Sequence, residues 1–262
     1  MGALKSSELL LAIDIGNTNV ALGLYQEERL LHHWRLATSV SRTSDEAWIV
    51  LSALCQGEAV QTDRVKGVAI SSVVPDLTSV FWNLAREHFN VVPYEVRAET
   101  APSLKIHYRD PSAVGADRLC NAAAGFQKYG GPLIIVDFGT ATTYDVINET
   151  GDYLGGIITP GIELAVKILH HNAARLPKVQ LDFPPKAIAD TTEYSIQAGL
   201  LYGAVDEMEG LCRRISRELG RDPKVIATGG LSALIAKESR VICAVEPYLV
   251  LEGLRILYER HG

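Results

Sequence analysis

The chain has 262 residues, 47% of them apolar and 21% charged, with a formal net charge of −6. That is room for two modest domains or one large one, and the composition excludes a disordered or fibrous chain. The acidic surplus counts against a large nucleic-acid footprint, no apolar run is long enough to span a bilayer, and the short polar lead before Leu9 does not read as a signal peptide. The expectation is a cytoplasmic protein with neither nucleic-acid nor membrane partners.

The chain opens with short apolar or alternating runs at residues 9–15, 20–25 and 30–37, which read as antiparallel strands. Thr43-Ser44-Asp45-Glu46 has the form of a capping box, with Thr43 as cap and Glu46 reaching back, ahead of a helix over 47–54. A strand over 65–73 is stopped by Pro75, a helix follows over 76–89, and a further strand lies near Val91. The second half repeats this order approximately. A helix over 116–128 ends at Gly130-Gly131, and strands follow at 133–137, 142–147 and 153–158. Helices over 161–174 and 194–219, a strand at 224–227, a helix from about Ser232, a strand at 241–245 and a helix over 249–260 complete the chain. Two similar βββαβα units imply an α/β fold with duplicated halves, a cleft between them, and a division into residues 1–114 and 115–262. The least regular stretches are 97–113 and 176–191, Pro-containing loops of a length that is often functional.

Two segments are close copies. Asp14-Ile15-Gly16-Asn17-Thr18-Asn19 and Asp137-Phe138-Gly139-Thr140-Ala141-Thr142 each follow an apolar strand and carry Asp-x-Gly with a hydroxyl-rich turn. Successive amides on such a turn can point at phosphate oxygens, while the carboxylate faces Mg²⁺ directly or through water. Two of them would hold one nucleotide between two half-molecules. Gly115-Ala116-Asp117-Arg118 sits where a loop becomes a helix. Its amides seek an anion, and Asp117 beside Arg118 pairs a proton acceptor with a carboxylate clamp. Taken alone, the same residues read more simply as an acid favoured in a first helical turn and a surface Arg. Gly155-Gly156 through Pro160-Gly161, and Ala227-Thr228-Gly229-Gly230, read as ligand-facing turns or as structural punctuation.

Several other chemistries find no support. Neither a Walker-type phosphate loop nor a G-x-G-x-x-G segment occurs. His170-His171 are adjacent on a helix and His32-His33 on a strand, so neither pair faces one ligand. Cys55, Cys120, Cys212 and Cys243 have no metal-site or disulfide spacing, and read as small buried hydrophobes.

Together these five segments, in this order, resemble the type III pantothenate kinases of the actin-like, sugar-kinase and heat-shock ATPase superfamily. The resemblance runs over almost the whole length, without a departure inside the motifs. It implies two duplicated actin-like (ribonuclease H-like) domains with an interdomain cleft, and transfer of phosphate from ATP to pantothenate, giving 4′-phosphopantothenate, the first step towards coenzyme A. It assigns Asp14, Ile15, Gly16, Asn17, Thr18, Asn19, Val20, Ala21 and Thr140 to ATP, and Tyr108, Gly115, Ala116, Asp117, Arg118 and Thr192 to pantothenate. Asp117 becomes the proton acceptor, and Asp137 the ligand of a monovalent cation, K⁺ or NH₄⁺. The resemblance also implies a homodimer with the substrate site near the subunit interface. No lysine grips the phosphates, so Mg²⁺, the monovalent ion, backbone amides and Arg118 would meet their charge, with Asp14 organising Mg²⁺. Asp137 has a competing reading, close to the divalent ion. The rival functions are another actin-like small-molecule kinase and a nucleotide-binding regulator without phosphotransfer.

Overall fold

The computed structural model describes residues 4–101, 103–172 and 176–261. The first unit begins with strands β1 (Leu9–Ile15), β2 (Asn19–Gln26) and β3 (Arg29–Ala37), followed by helix α1 (Ser44–Gly57), β4 (Val65–Ser72), α2 (Pro75–Phe89) and β5 (Tyr94–Glu95). Its five strands lie in the order β3-β2-β1-β4-β5, with β1–β2 and β2–β3 antiparallel and β1–β4 and β4–β5 parallel. β1 is buried along nearly all its length because both of its faces are covered, hence its unbroken apolar run. Leu9, Leu11, Ile13 and Ile15 share a core with Ala47, Leu51 and Cys55 of α1 and with Leu77, Phe81 and Leu84 of α2. Each such side chain contributes about 1.5–3 kcal/mol relative to exposure.

Helix α3 (Ala116–Tyr129) leads to the second unit, with β6 (Leu133–Phe138), β7 (Ala141–Ile147), β8 (Tyr153–Pro160), α4 (Ile162–Asn172), α5 (Thr192–Leu219), β9 (Lys224–Thr228), the single turn α6 (Ser232–Ile235) and β10 (Ile242–Val245). The order here is β10-β9-β6-β7-β8, again with a meander on one side of the central strand and parallel neighbours on the other. β6 thus occupies the place of β1, and β9 that of β4. Ile134, Val136 and Phe138 pack on Leu201, Val205, Met208 and Cys212 of α5. The fold is α/β with two mixed five-stranded sheets of matching topology, as the sequence predicts.

The capping box is present in full: the Thr43 amide donates to Glu46 Oε2 (2.9 Å) and the Glu46 amide to Thr43 Oγ1 (3.2 Å). The strand expected near Val91 forms at Tyr94–Glu95 instead, because α2 ends on Asn90 in the left-handed region (φ 54°) and Pro93 intervenes. Gly155 to Pro160 are strand rather than turn, paired with β7. The expected end of the helix over 161–174 lies outside the described residues. Cys55, Cys120 and Cys212 are buried as expected, whereas Cys243 is exposed.

The division expected at residues 114 and 115 is set at a different place by contacts, which group Met1–Ala124 with Leu249–Gly262 and leave Gly125–Tyr248 as the other unit. The last helix, α7 (Leu249–His261), packs on β1, β2 and β4. Leu251, Leu254, Ile256, Leu257 and Tyr258 are all buried there, more than one stripe of a surface helix would supply. Gly253 lets it approach α3 closely, since a Cβ at that position would run into the backbone carbonyl of Cys120.

Candidate active site

The first unit carries the β1–β2 turn. Gly16, Asn17 and Thr18 link the strands, with Asp14 opposite Ala21 and Ile15 opposite Val20. The Gly16 amide donates to Asn19 O (3.0 Å), Thr38 Oγ1 donates to Gly16 O (2.6 Å), and the Thr38 amide donates to Thr18 O (3.0 Å). The turn is therefore pinned from β3, while Asn17, Thr18 and Asn19 remain exposed. Asp14 is half-buried, and its Oδ1 accepts a bond from Ser71 Oγ at 2.9 Å. Ser71 reaches it because β4 runs parallel to β1 with Ser71 in register with Asp14.

Helix α3 begins in the same unit. Asp117 lies in its first helical turn, where the unpaired amides favour a negative charge. Its Oδ1 accepts from the Arg118 amide (2.9 Å). A Cβ on Gly115 would sit 2.5 Å from that same oxygen, so the glycine makes room for the carboxylate. Burial raises the Asp117 carboxyl above its ordinary value of 3.8, against the opposing pull of the Arg118 amide and guanidinium. A carboxylate held this way is a stronger base than a solvated one. Arg118 is buried, at 6% exposure.

One turn along α3, the Cys120 thiol is fully buried. Burial pushes it well above its usual value, and the charges of Asp14 and then Asp117 push it further. Both acids thus act on the one thiol, Asp14 from the end of β1 and Asp117 from the start of α3. Tyr108 belongs to the same unit, on the irregular stretch before α3, and is 36% exposed.

The second unit holds the other candidates. Gly139 and Thr140 alone join β6 to β7. The Gly139 amide donates to Ala141 O and the Gly161 amide to Thr140 O, both at 3.1 Å. Thr140 is exposed and Asp137 half-buried. Asp137 stands in register with Thr228 of β9. Gly229 next to it has φ +88°, and a Cβ there would meet Asp137 Oδ1 and the Phe138 backbone. The Ala227-Thr228-Gly229-Gly230 segment is therefore the wall against which Asp137 rests. Thr192 starts α5 and is exposed, with Thr191 capping the helix through the Tyr194 amide (3.1 Å).

Sequence reading passed over Ser71, Cys120 and Thr38. Ser71 is one of two serines ending an apolar strand, and its bond to Asp14 spans 57 residues. Cys120 three residues after Asp117 was the available signal, since that spacing stacks two side chains on one helix face.

No group of three or more His, Cys, Asp or Glu that could hold a metal occurs among the described residues. Mg²⁺ in nucleotide sites uses one or two carboxylates, the rest of its shell being phosphate oxygen and water. Asp14, at the rim of an exposed turn, suits that pattern.

A mixed sheet with a parallel partner strand, repeated twice and carrying an acid-bearing hairpin in each copy, defines an actin-like ATPase or sugar-kinase fold. The solved ROK family glucokinase from Streptomyces griseus, in complex with glucose and AMPPNP, shares it with a TM-score of 0.50 and 15% identity, over 97% of this chain and 100% of that one. Residues 10–214 match the type III pantothenate kinase family. Type III pantothenate kinases from Citrifermentans bemidjiense (48% identical, 97% of this chain and 100% of the relative) and Bacillus cytotoxicus (44%, 97% of each) are similar along nearly their whole lengths. The chain belongs to the type III pantothenate kinase family. Its activity is that of a kinase phosphorylating pantothenate with ATP in coenzyme A biosynthesis.

Proposed function

We propose that Asp117 accepts the proton of the primary hydroxyl of pantothenate as that oxygen attacks the γ-phosphorus of ATP. The observation that supports this reading is the Asp117 carboxylate in the first turn of α3, accepting from the Arg118 amide at 2.9 Å with Gly115 leaving room for it. Phosphoryl transfer needs alignment and charge neutralisation more than covalent help from the protein. Asp14 through Ala21, with Thr140, hold the ATP phosphates. Asp14 holds Mg²⁺, directly or through water, and the ion when bound offsets the charge of the phosphate oxygens. Tyr108, Gly115, Ala116, Arg118 and Thr192 contact pantothenate, with Arg118 set to hold an anion. Asp137 ligates K⁺ or NH₄⁺. The working form is a cytoplasmic homodimer whose substrate site adjoins the subunit interface. No helix among the described residues is long and apolar enough to cross a membrane.

A coupled ADP-release assay with pantothenate and Mg²⁺, run in potassium and in sodium, tests the set. The expected result is ADP release that requires pantothenate and Mg²⁺ and is faster in potassium. Turnover of Asp117→Asn close to that of the parent, with the fold intact, would remove Asp117 as the base.

A further inference from the structure

We propose that Ser71 is a positioning residue for the phosphoryl transfer: its buried hydroxyl, donating to Asp14 Oδ1, sets the plane of the Asp14 carboxylate. This rests on the reading of Asp14 as the magnesium-facing acid.

The direction of the bond follows from the donors available. An ionised carboxylate only accepts, so the single proton of Ser71 is committed to Asp14 Oδ1 at 2.9 Å. The bond runs one way, from β4 to β1. Ser71 is 0% exposed and in register with Asp14 on the neighbouring parallel strand, so the donor is held in place by the sheet. A hydroxyl bond to a charged acceptor in a buried place is worth more than a neutral one, and its loss lets the carboxylate rotate.

A buried serine that merely satisfies the core would show only in stability. The discriminating measurement is steady-state kinetics of the full chain for Ser71→Ala and Ser71→Thr. For each, kcat, the two KM values, the Mg²⁺ concentration for half-maximal rate and the melting temperature are recorded. Ser71→Ala is expected to lose about tenfold in kcat and to need several-fold more Mg²⁺, with the pantothenate KM within about twofold of the parent. Ser71→Thr, which keeps the hydroxyl, is expected to recover most of the loss. A Ser71→Ala protein with parental kcat and Mg²⁺ dependence overturns the inference whatever its melting temperature. Should that variant not fold, Ser71→Cys, of nearly the same size with a weaker donor, decides on the same readouts. Asp14→Asn separates the two levels. If it leaves the Mg²⁺ dependence unchanged, the reading of Asp14 fails and this inference with it. If it shifts that dependence while Ser71→Ala does not, only the positioning role fails.

Discussion

The two Asp-x-Gly hairpins start from nearly the same residues and end as different objects. The β1–β2 turn has three linking residues, Gly16, Asn17 and Thr18, and shows polar side chains to solvent from Asn17 to Asn19. The β6–β7 turn has two, Gly139 and Thr140, and the Gly139 amide donates two residues on, to Ala141 O, where the Gly16 amide donates three residues on, to Asn19 O. The acids differ as well. Asp14 takes a hydroxyl from Ser71, whereas Asp137 is backed by the Gly229 turn with its left-handed glycine. One extra residue opens a turn enough to expose successive amides and side chains to a polyphosphate. A tighter turn braced from behind suits an acid that holds a small cation in a set place.

The largest break in the comparison concerns the acid that neither hairpin supplies. Asp117→Asn should lower kcat by about 10²- to 10⁴-fold in the ADP-release assay. It should also raise the melting temperature at neutral pH. Burial raises the folded-state carboxyl above 3.8, so its contribution to stability is fullest below that value and is lost as pH rises through the folded value. Removing the ionisable group relieves that loss. The same shift should place the acid limb of kcat/KM above the ordinary aspartate value of 3.8, read from a pH profile of the parent enzyme.

Next in size is the division of cations between the hairpins. Asp137→Asn should weaken potassium activation by about 10- to 100-fold in apparent affinity while leaving the Mg²⁺ dependence near that of the parent. Asp14→Asn should do the reverse. Loss of both dependences in either variant would merge the two sites. Gly229→Ala tests the brace alone. The strained φ of +88° and the crowding of Asp137 predict about 1–3 kcal/mol of lost stability together with weaker potassium activation. Smallest is Thr43→Ala, which breaks the capping box of α1 far along the chain from either acid. It should cost about 1 kcal/mol in denaturant unfolding and leave kcat unchanged.

Local order was largely legible in the residues. β1, β6, α3, α5 and α7 appear within a residue or two of where periodicity and capping place them, because those signals act over single turns and single strands. The candidate site was legible in part: its acids sit on glycine-marked turns that sequence alone picks out. Ser71 and Cys120 were not, since nothing near them in the chain says that β4 lies parallel to β1 with Ser71 opposite Asp14. The strand near Val91 was misplaced for a local reason, a left-handed Asn90 followed by Pro93 that delays pairing until Tyr94.

By itself, then, the sequence determined the repeated strand–turn pattern, the acids each turn carries and the family to which the chain belongs, all of them carried by neighbouring residues. The tertiary structure decided that α7 returns to the first sheet, that a serine 57 residues away donates to Asp14, and that Cys120 is fully buried. Parallel pairing and helix docking are set by which apolar faces bury each other across the whole chain, and that sum is not written at any one position.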